Sequence, residues 1–173
     1  METYRGRALN AWNAGADGIY MFNFFDPLSR LWRELGDPTV LRMRSRNYFA
    51  SVLGAGSMPV PHQKLIHVPT LNPAAPISTT GKEQIEFLIG EDVAESKPKP
   101  GITLHLRVKN PAVPMRMSLN GTELPKANAN ADWLDVPLQA SMLRGGTNSL
   151  AFDAAASLKK PMSLLDLYVS ILP

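Results

Sequence analysis

The chain has 173 residues, 45% of them hydrophobic and 19% charged, with a net charge of +3 and no cysteine. This composition belongs to a folded globular chain and excludes general disorder, disulfides and thiolate metal sites. The 18 basic residues are scattered, so the basic, aromatic-interleaved patch of a nucleic-acid partner is missing, and no run approaches the ~20 apolar residues of a membrane span.

From the N-terminus, Thr3 reads as the cap of a helix running to about Ala14, with Tyr4, Ala8, Leu9 and Trp12 on one face and Gly15 just past its end. Gly18 to Phe25 reads as a strand apolar on both faces, a pattern that belongs inside a parallel sheet. Leu28, Leu31, Trp32 and Leu35 make the stripe of a second helix that Gly36 ends. Asp37 and Pro38 open a short third helix, with Val40, Leu41 and Met43 as its buried candidates. Arg42, Arg44 and Arg46 are expected at a solvated helix end, where cations offset the dipole.

Beyond Ser57 to Pro61, read as a connection, helical periodicity fades and alternation takes over. The cleanest strand is ITLHLRVK, with Ile102, Leu104, Leu106 and Val108 on one face and Thr103, His105, Arg107 and Lys109 on the other. MRMSLNGTEL alternates and then turns at Asn120-Gly121, residues suited to the positive φ of a tight hairpin; the turn also accounts for the sequon Asn120-Gly121-Thr122. Further strands are expected at 65–70, 84–90, 133–137, 148–153 and 164–172, the last with Leu165, Leu167, Val169 and Ile171 sharing a face. QASMLRGGTNSLAF reads as a helical turn, a Gly-Gly turn and a strand. Many short alternating strands predict an antiparallel β-sandwich.

The run YRGRALNAWNAGADGIYMFNFFDP, followed by LWRELGDPTVL, resembles the end of a (β/α)8 barrel in a group of bacterial glycoside hydrolases. There a helix bearing Arg-x-x-Ala-x-Asn-x-Trp leads into a last strand ending Phe-Asn. The matching residues here are Arg5, Ala8, Asn10 and Trp12, then Phe22 and Asn23. LNGTEL, DVPLQASMLRGGTNSLAFD and the final apolar strand resemble the galactose-binding-like jelly roll that often follows such barrels. The resemblance implies a helix–strand–helix barrel remnant over 1–56 and a β-sandwich accessory domain over 57–173. It also implies that the paired carboxylates of a glycosidase would lie on barrel strands upstream of Met1, so that this chain alone is inactive on glycosides.

Candidate chemistry is sparse. Barrel sites form at the carboxyl ends of strands, so Asn23 and Phe25, with Phe24 and Asp26, are placed by the resemblance at the rim of a sugar pocket. The plainer reading puts the two phenylalanines in a core and makes Asp26 a helix cap. In the second region Trp133 offers an aromatic platform beside Asp132 and Asp135, and His105 and Arg107 offer donors on a polar strand face; packing of Trp133 into the core is the competing reading. His62, His67 and His105 lack a recognised ligand spacing, so no metal or other cofactor is expected.

Two functions follow. One is a structural or weakly carbohydrate-binding accessory region of a glycoside hydrolase, partnered by the rest of its barrel. The other is a stand-alone β-sandwich binding module with an N-terminal helical packing segment. Carbohydrate is the expected ligand, nucleic acid and membrane are not expected, and the apolar faces within 1–50 are expected either to pack on a second copy in a homo-oligomer or to be poorly ordered. The compartment stays open, export to the periplasm or beyond as part of a larger protein being compatible with the sequence.

Overall fold

The computed structural model describes residues 1–50, 71, 76–79, 81–111, 115–153 and 161–173. The connection at Ser57 to Pro61, the strand expected at 65–70, and His62 and His67 lie outside them.

Among the described residues the protein is mainly β, with two antiparallel sheets enclosing one apolar core. The larger sheet contains β1 (Arg46–Phe49), β2 (Ile77–Thr79), β4 (Gly101–Lys109), β7 (Asn128–Asn130), β8 (Trp133–Leu138) and β10 (Met162–Leu172), in the order β1-β10-β4-β8-β7, with β2 also pairing β10. The smaller contains β3 (Lys82–Ile89), β5 (Arg116–Leu119), β6 (Thr122–Glu123) and β9 (Gly146–Asp153), in the order β3-β9-β5-β6.

Alternation decides which way each strand faces. Ile102, Leu104, Leu106 and Val108 of β4 are buried, while Thr103, His105 and Arg107 between them face outward. Each such apolar side chain stabilises the fold by roughly 1.5–3 kcal/mol when removed from water. In β10 the register shifts between Leu164 and Asp166, so Leu165 is the extra residue of a bulge. The expected common face therefore runs Leu164, Leu167, Val169 and Ile171, opposite Val108, Leu106, Leu104 and Ile102.

The expected hairpin forms between β5 and β6, with Asn120 at φ 51° and Gly121 at φ 85°. Its Asn120 amide donates to the buried Asn148 side chain at 2.8 Å. Asn148 in turn accepts from Arg144 N and donates to the carbonyls of Arg144 and Gly146. This network pins the Gly-Gly turn and explains why LNGTEL and RGGTNSL belong to one structural unit. The expected helical turn is a 3-10 turn at Ala140–Met142.

The N-terminal helices are α1 (Glu2–Asn13), α2 (Leu31–Glu34) and α3 (Pro38–Arg42). Gly15 follows α1 with φ 90°, and Asp37 caps α3 by accepting from Thr39 and Val40 N–H groups, both as expected. The strand expected over Gly18 to Phe25 does not form: the segment is irregular, and Tyr20, Phe22 and Phe25 are 86%, 77% and 86% exposed. A strand apolar on both faces needs a ladder partner and cover on each side, and among the described residues no strand pairs with it. Leu28 is exposed because α2 starts only at Leu31, and Met43 is exposed beyond the end of α3.

The other correction is Arg46, which is 1% exposed instead of solvated. Its Nε and Nη2 donate to the Glu91 carboxylate, which also accepts from Tyr48 Oη; its Nη1 donates at 2.8 Å to the carbonyls of Arg42 and Arg44. The cation thus does meet the C-terminal end of α3, as the dipole argument anticipates, but inside the protein. Because β1 and β3 are first in their respective sheets and Glu91 follows β3, this pair staples the two sheets together along one side. Helix α1 lies over that side. Gly6 and Gly90 permit the approach: a Cβ on Gly6 would sit 2.1 Å from Asn47 O, and one on Gly90 2.2 Å from the Leu9 carbonyl carbon. Arg5 adds bonds to Glu34 and to Ser45 O, both at 2.9 Å, and Trp12 Nε1 donates to Leu35 O.

Removing one charge of the staple leaves the other buried and unpaired. Glu91→Leu and Arg46→Met should each cost about 3–5 kcal/mol, and the double variant distinctly less than their sum; denaturant titration of the three proteins measures this, and additive costs would contradict it. Burial first, then the Glu91 charge and hydrogen bond, hold the Tyr48 phenol above its ordinary 10.0. The unfolded chain releases this proton near pH 10 while the folded chain keeps it, so stability falls as pH rises beyond that point, by up to ~1.4 kcal/mol per pH unit. Melting series between pH 9 and 11.5 should show a shallower decline for Tyr48→Phe than for the wild type.

Candidate functional site

The outward residues of the larger sheet build a continuous polar and aromatic surface. Register places Phe49, Tyr168, His105, Asp135 and Asn128 in one row across β1, β10, β4, β8 and β7. Arg107 sits between Asp166 and Trp133 in the neighbouring row, and Ser170 between Asn47 and Thr103 on the other side.

Within the row the rings stand against one another. Tyr168 stacks on Phe49 at 4.6 Å between centroids and on His105 at 4.3 Å, with interplanar angles of 17° and 13°. β10 lies between β1 and β4, so both faces of the Tyr168 ring are taken. Trp133 meets Tyr168 edge-on at 5.3 Å and 78°. Burial first, then the charges of Asp135 and Asp166, hold the Tyr168 phenol above its ordinary range.

His105 is the centre of the polar contacts. Its Nδ1 lies 2.7 Å from Asp135 Oδ1 and its Nε2 2.9 Å from Ser170 Oγ, while Asn130 donates to Asp135 Oδ2 at 3.0 Å. A carboxylate only accepts, so Nδ1 carries a proton, and whenever the ring is neutral the Ser170 hydroxyl donates to Nε2. Arg107 reaches Asp132 at 4.0 Å, a long and exposed contact. Beside it Trp133 lines a depression of about 390 Å³ with Lys109, Asn110, Ala131 and Asp132. That volume lies within the ~300–1,000 Å³ of small-molecule clefts. A broader depression of about 780 Å³ on the smaller sheet, lined by Lys82, Gln84, Arg116 and Asp153, has only the buried Phe152 as an aromatic.

Of the residues singled out from sequence, Trp133, Asp135, His105 and Arg107 come together on this face. Asn23 and Phe25 do not join them: they lie in the irregular segment between α1 and α2, where Phe24 packs edge-on against Tyr4 and Trp32. Asp26 accepts from Leu28 N–H and, through its carbonyl, from Trp32 Nε1. Asn128 and Asn130, near Trp133 in the sequence, join the surface; Phe49, Tyr168 and Ser170 complete it and were not anticipated. Tyr168 and Ser170 were readable as the outward partners of Leu167, Val169 and Ile171, but which strand lies beside β10 was not. Among the described residues no group of three potential metal ligands assembles.

No family model and no curated protein matches the chain. Among solved structures it is similar to a β-porphyranase of glycoside hydrolase family 86 from the human gut bacterium Bacteroides plebeius, with 13% sequence identity and a TM-score of 0.43, over 74% of this chain and 20% of that one. The chain thus spans a fifth of that protein's length, and a likeness this remote decides nothing about its chemistry.

The hydrogen bond from Nδ1 to Asp135 predicts a single neutral tautomer for His105. Nitrogen-15 spectra at pH 8 should show the proton on Nδ1, and Asp135→Ala should give a mixture of tautomers. An Nε2–H form in the wild type would contradict the assignment.

Proposed function

We propose that the chain is a carbohydrate-binding accessory module of a glycoside hydrolase, its N-terminal helical segment derived from the end of a barrel and packed on a sandwich that already includes β1. It does not cleave glycosidic bonds by itself. The observation that carries this reading is the depression walled by Trp133 next to a row of fixed polar groups. A sugar ring presents an apolar face and a rim of hydroxyls. It needs one open aromatic face and several oriented donors and acceptors, few of which must be reordered on binding. Tyr168 has no free face to give, so the indole of Trp133 is the platform. Lys109, Asn110 and Asp132 supply the polar rim, with Arg107 beside Asp132.

A second reading keeps the sandwich as a self-contained binding module with a helical packing segment. It is favoured by the manner in which α1 is fitted onto β1 and β3 through Gly6 and Gly90 and fastened by Arg5. Both readings use the same ligand surface.

Affinity electrophoresis through a panel of polysaccharides tests that surface. Retardation by at least one of them is expected, with Trp133→Ala weakening it roughly 10-fold or more, as loss of a central aromatic anchor does. Phe25→Ala should leave it unchanged. Retention that survives in Trp133→Ala would remove the depression from the site.

A further inference from the structure

We propose that Ser170, His105 and Asp135 form an acyl-transfer relay on the outer face of the larger sheet, with Ser170 as the nucleophile toward esters of small carboxylic acids. The three come from β10, β4 and β8, and the sheet brings them into the order this chemistry requires: hydroxyl on Nε2 at 2.9 Å, Nδ1 on carboxylate at 2.7 Å, and the far carboxylate oxygen held by Asn130 at 3.0 Å. Such relays are recognised by roles and geometry, not by chain order. The imidazole plane is fixed by Tyr168, itself fixed by Phe49. His105 and Asp135 side chains are 18% and 22% exposed and Ser170 is half-buried, so the relay lies at the outer surface of the sheet.

The step balances with water as the only co-reactant. Ser170 Oγ bonds to the ester carbonyl carbon while its proton passes to Nε2, and the carbonyl π pair moves onto oxygen. Collapse of the tetrahedral centre breaks the bond to the leaving alkoxide, which takes the proton from the imidazolium. A water molecule then gives a proton to Nε2 and bonds to the acyl carbon. The second collapse breaks the bond to Oγ, returns that proton to Ser170 and releases the carboxylic acid. Because β10 pairs on both sides, its amides are committed to the ladder and cannot form an oxyanion hole. Asn47 and Thr103 flank Ser170 in register, and their side chains are assigned as donors to the developing oxyanion. The open sheet face sets no steric limit on the acyl group, and esters of small acids such as acetate are the simplest members of the class. The relay operates whether or not a sugar occupies the Trp133 depression.

The test is covalent labelling of the full chain with a fluorophosphonate, which phosphonylates activated serines with loss of fluoride, followed by peptide mass mapping. A single adduct on Ser170 is expected, absent from Ser170→Ala. The labelling rate should fall about 100-fold in His105→Gln and in Asp135→Asn, the scale of a lost general base or a wrong tautomer. Circular dichroism melts identify any variant that fails to fold; if one does, the other carries the comparison. No adduct on Ser170, or equal rates in a folded His105→Gln or Asp135→Asn, would overturn the proposal and leave a hydrogen-bonded row that only stiffens the sheet.

Discussion

The buried contact between Arg46 and Glu91 is the constraint on which the rest of the molecule depends. A guanidinium and a carboxylate withdrawn from water are costly unless both are saturated with partners. Here Glu91, the carbonyls of Arg42 and Arg44, and the Tyr48 hydroxyl supply them. The geometry admits little slack: β1 must lie beside the end of β3, and α3 must end where its carbonyls meet the cation. Such a contact contributes specificity of arrangement more than net stability, which comes from the apolar residues shared by the two sheets.

Closing the sandwich on that side has an effect on the opposite surface. With Arg46 and Tyr48 turned inward, Asn47 and Phe49 must turn outward, because strand side chains alternate. Phe49 then becomes the outer member of the ring stack, and Asn47 the neighbour of Ser170. A structural ion pair thereby sets the composition of one end of the candidate site. The bulge at Leu165 does the same along β10: it resets the alternation so that Tyr168 and Ser170 face out while Leu167, Val169 and Ile171 face the core.

Much of the fold was legible because its local signals agree. Strict alternation gave β4 and its polar face, Asn120-Gly121 gave the hairpin, and Asp37-Pro38 gave a helix start. His105, Arg107, Trp133 and Asp135 were legible as site candidates because polar groups on a strand's outward face, or an indole flanked by acids, are visible in one dimension. Strand order is not. It is fixed by the mutual fit of residues far apart in the chain, so nothing local placed Tyr168 and Ser170 beside His105. Arg46 misled because a charged residue reads as solvated until its partners are known. The segment Gly18 to Phe25 misled because hydrophobicity signals a wish for burial without supplying the neighbours that would grant it.

The pairing of β1 with β10 has a kinetic meaning as well. Arg46 lies opposite Ile171, so the chain must close a loop of most of its length before this ladder can start. Contacts so distant in sequence pay their entropy early and are rewarded late, which slows folding. The stacked rings span that ladder and the next one, from Phe49 through Tyr168 to His105. Near-ultraviolet ellipticity from this stack should therefore develop among the last events of refolding, after the β5–β6 hairpin and the helices have taken shape.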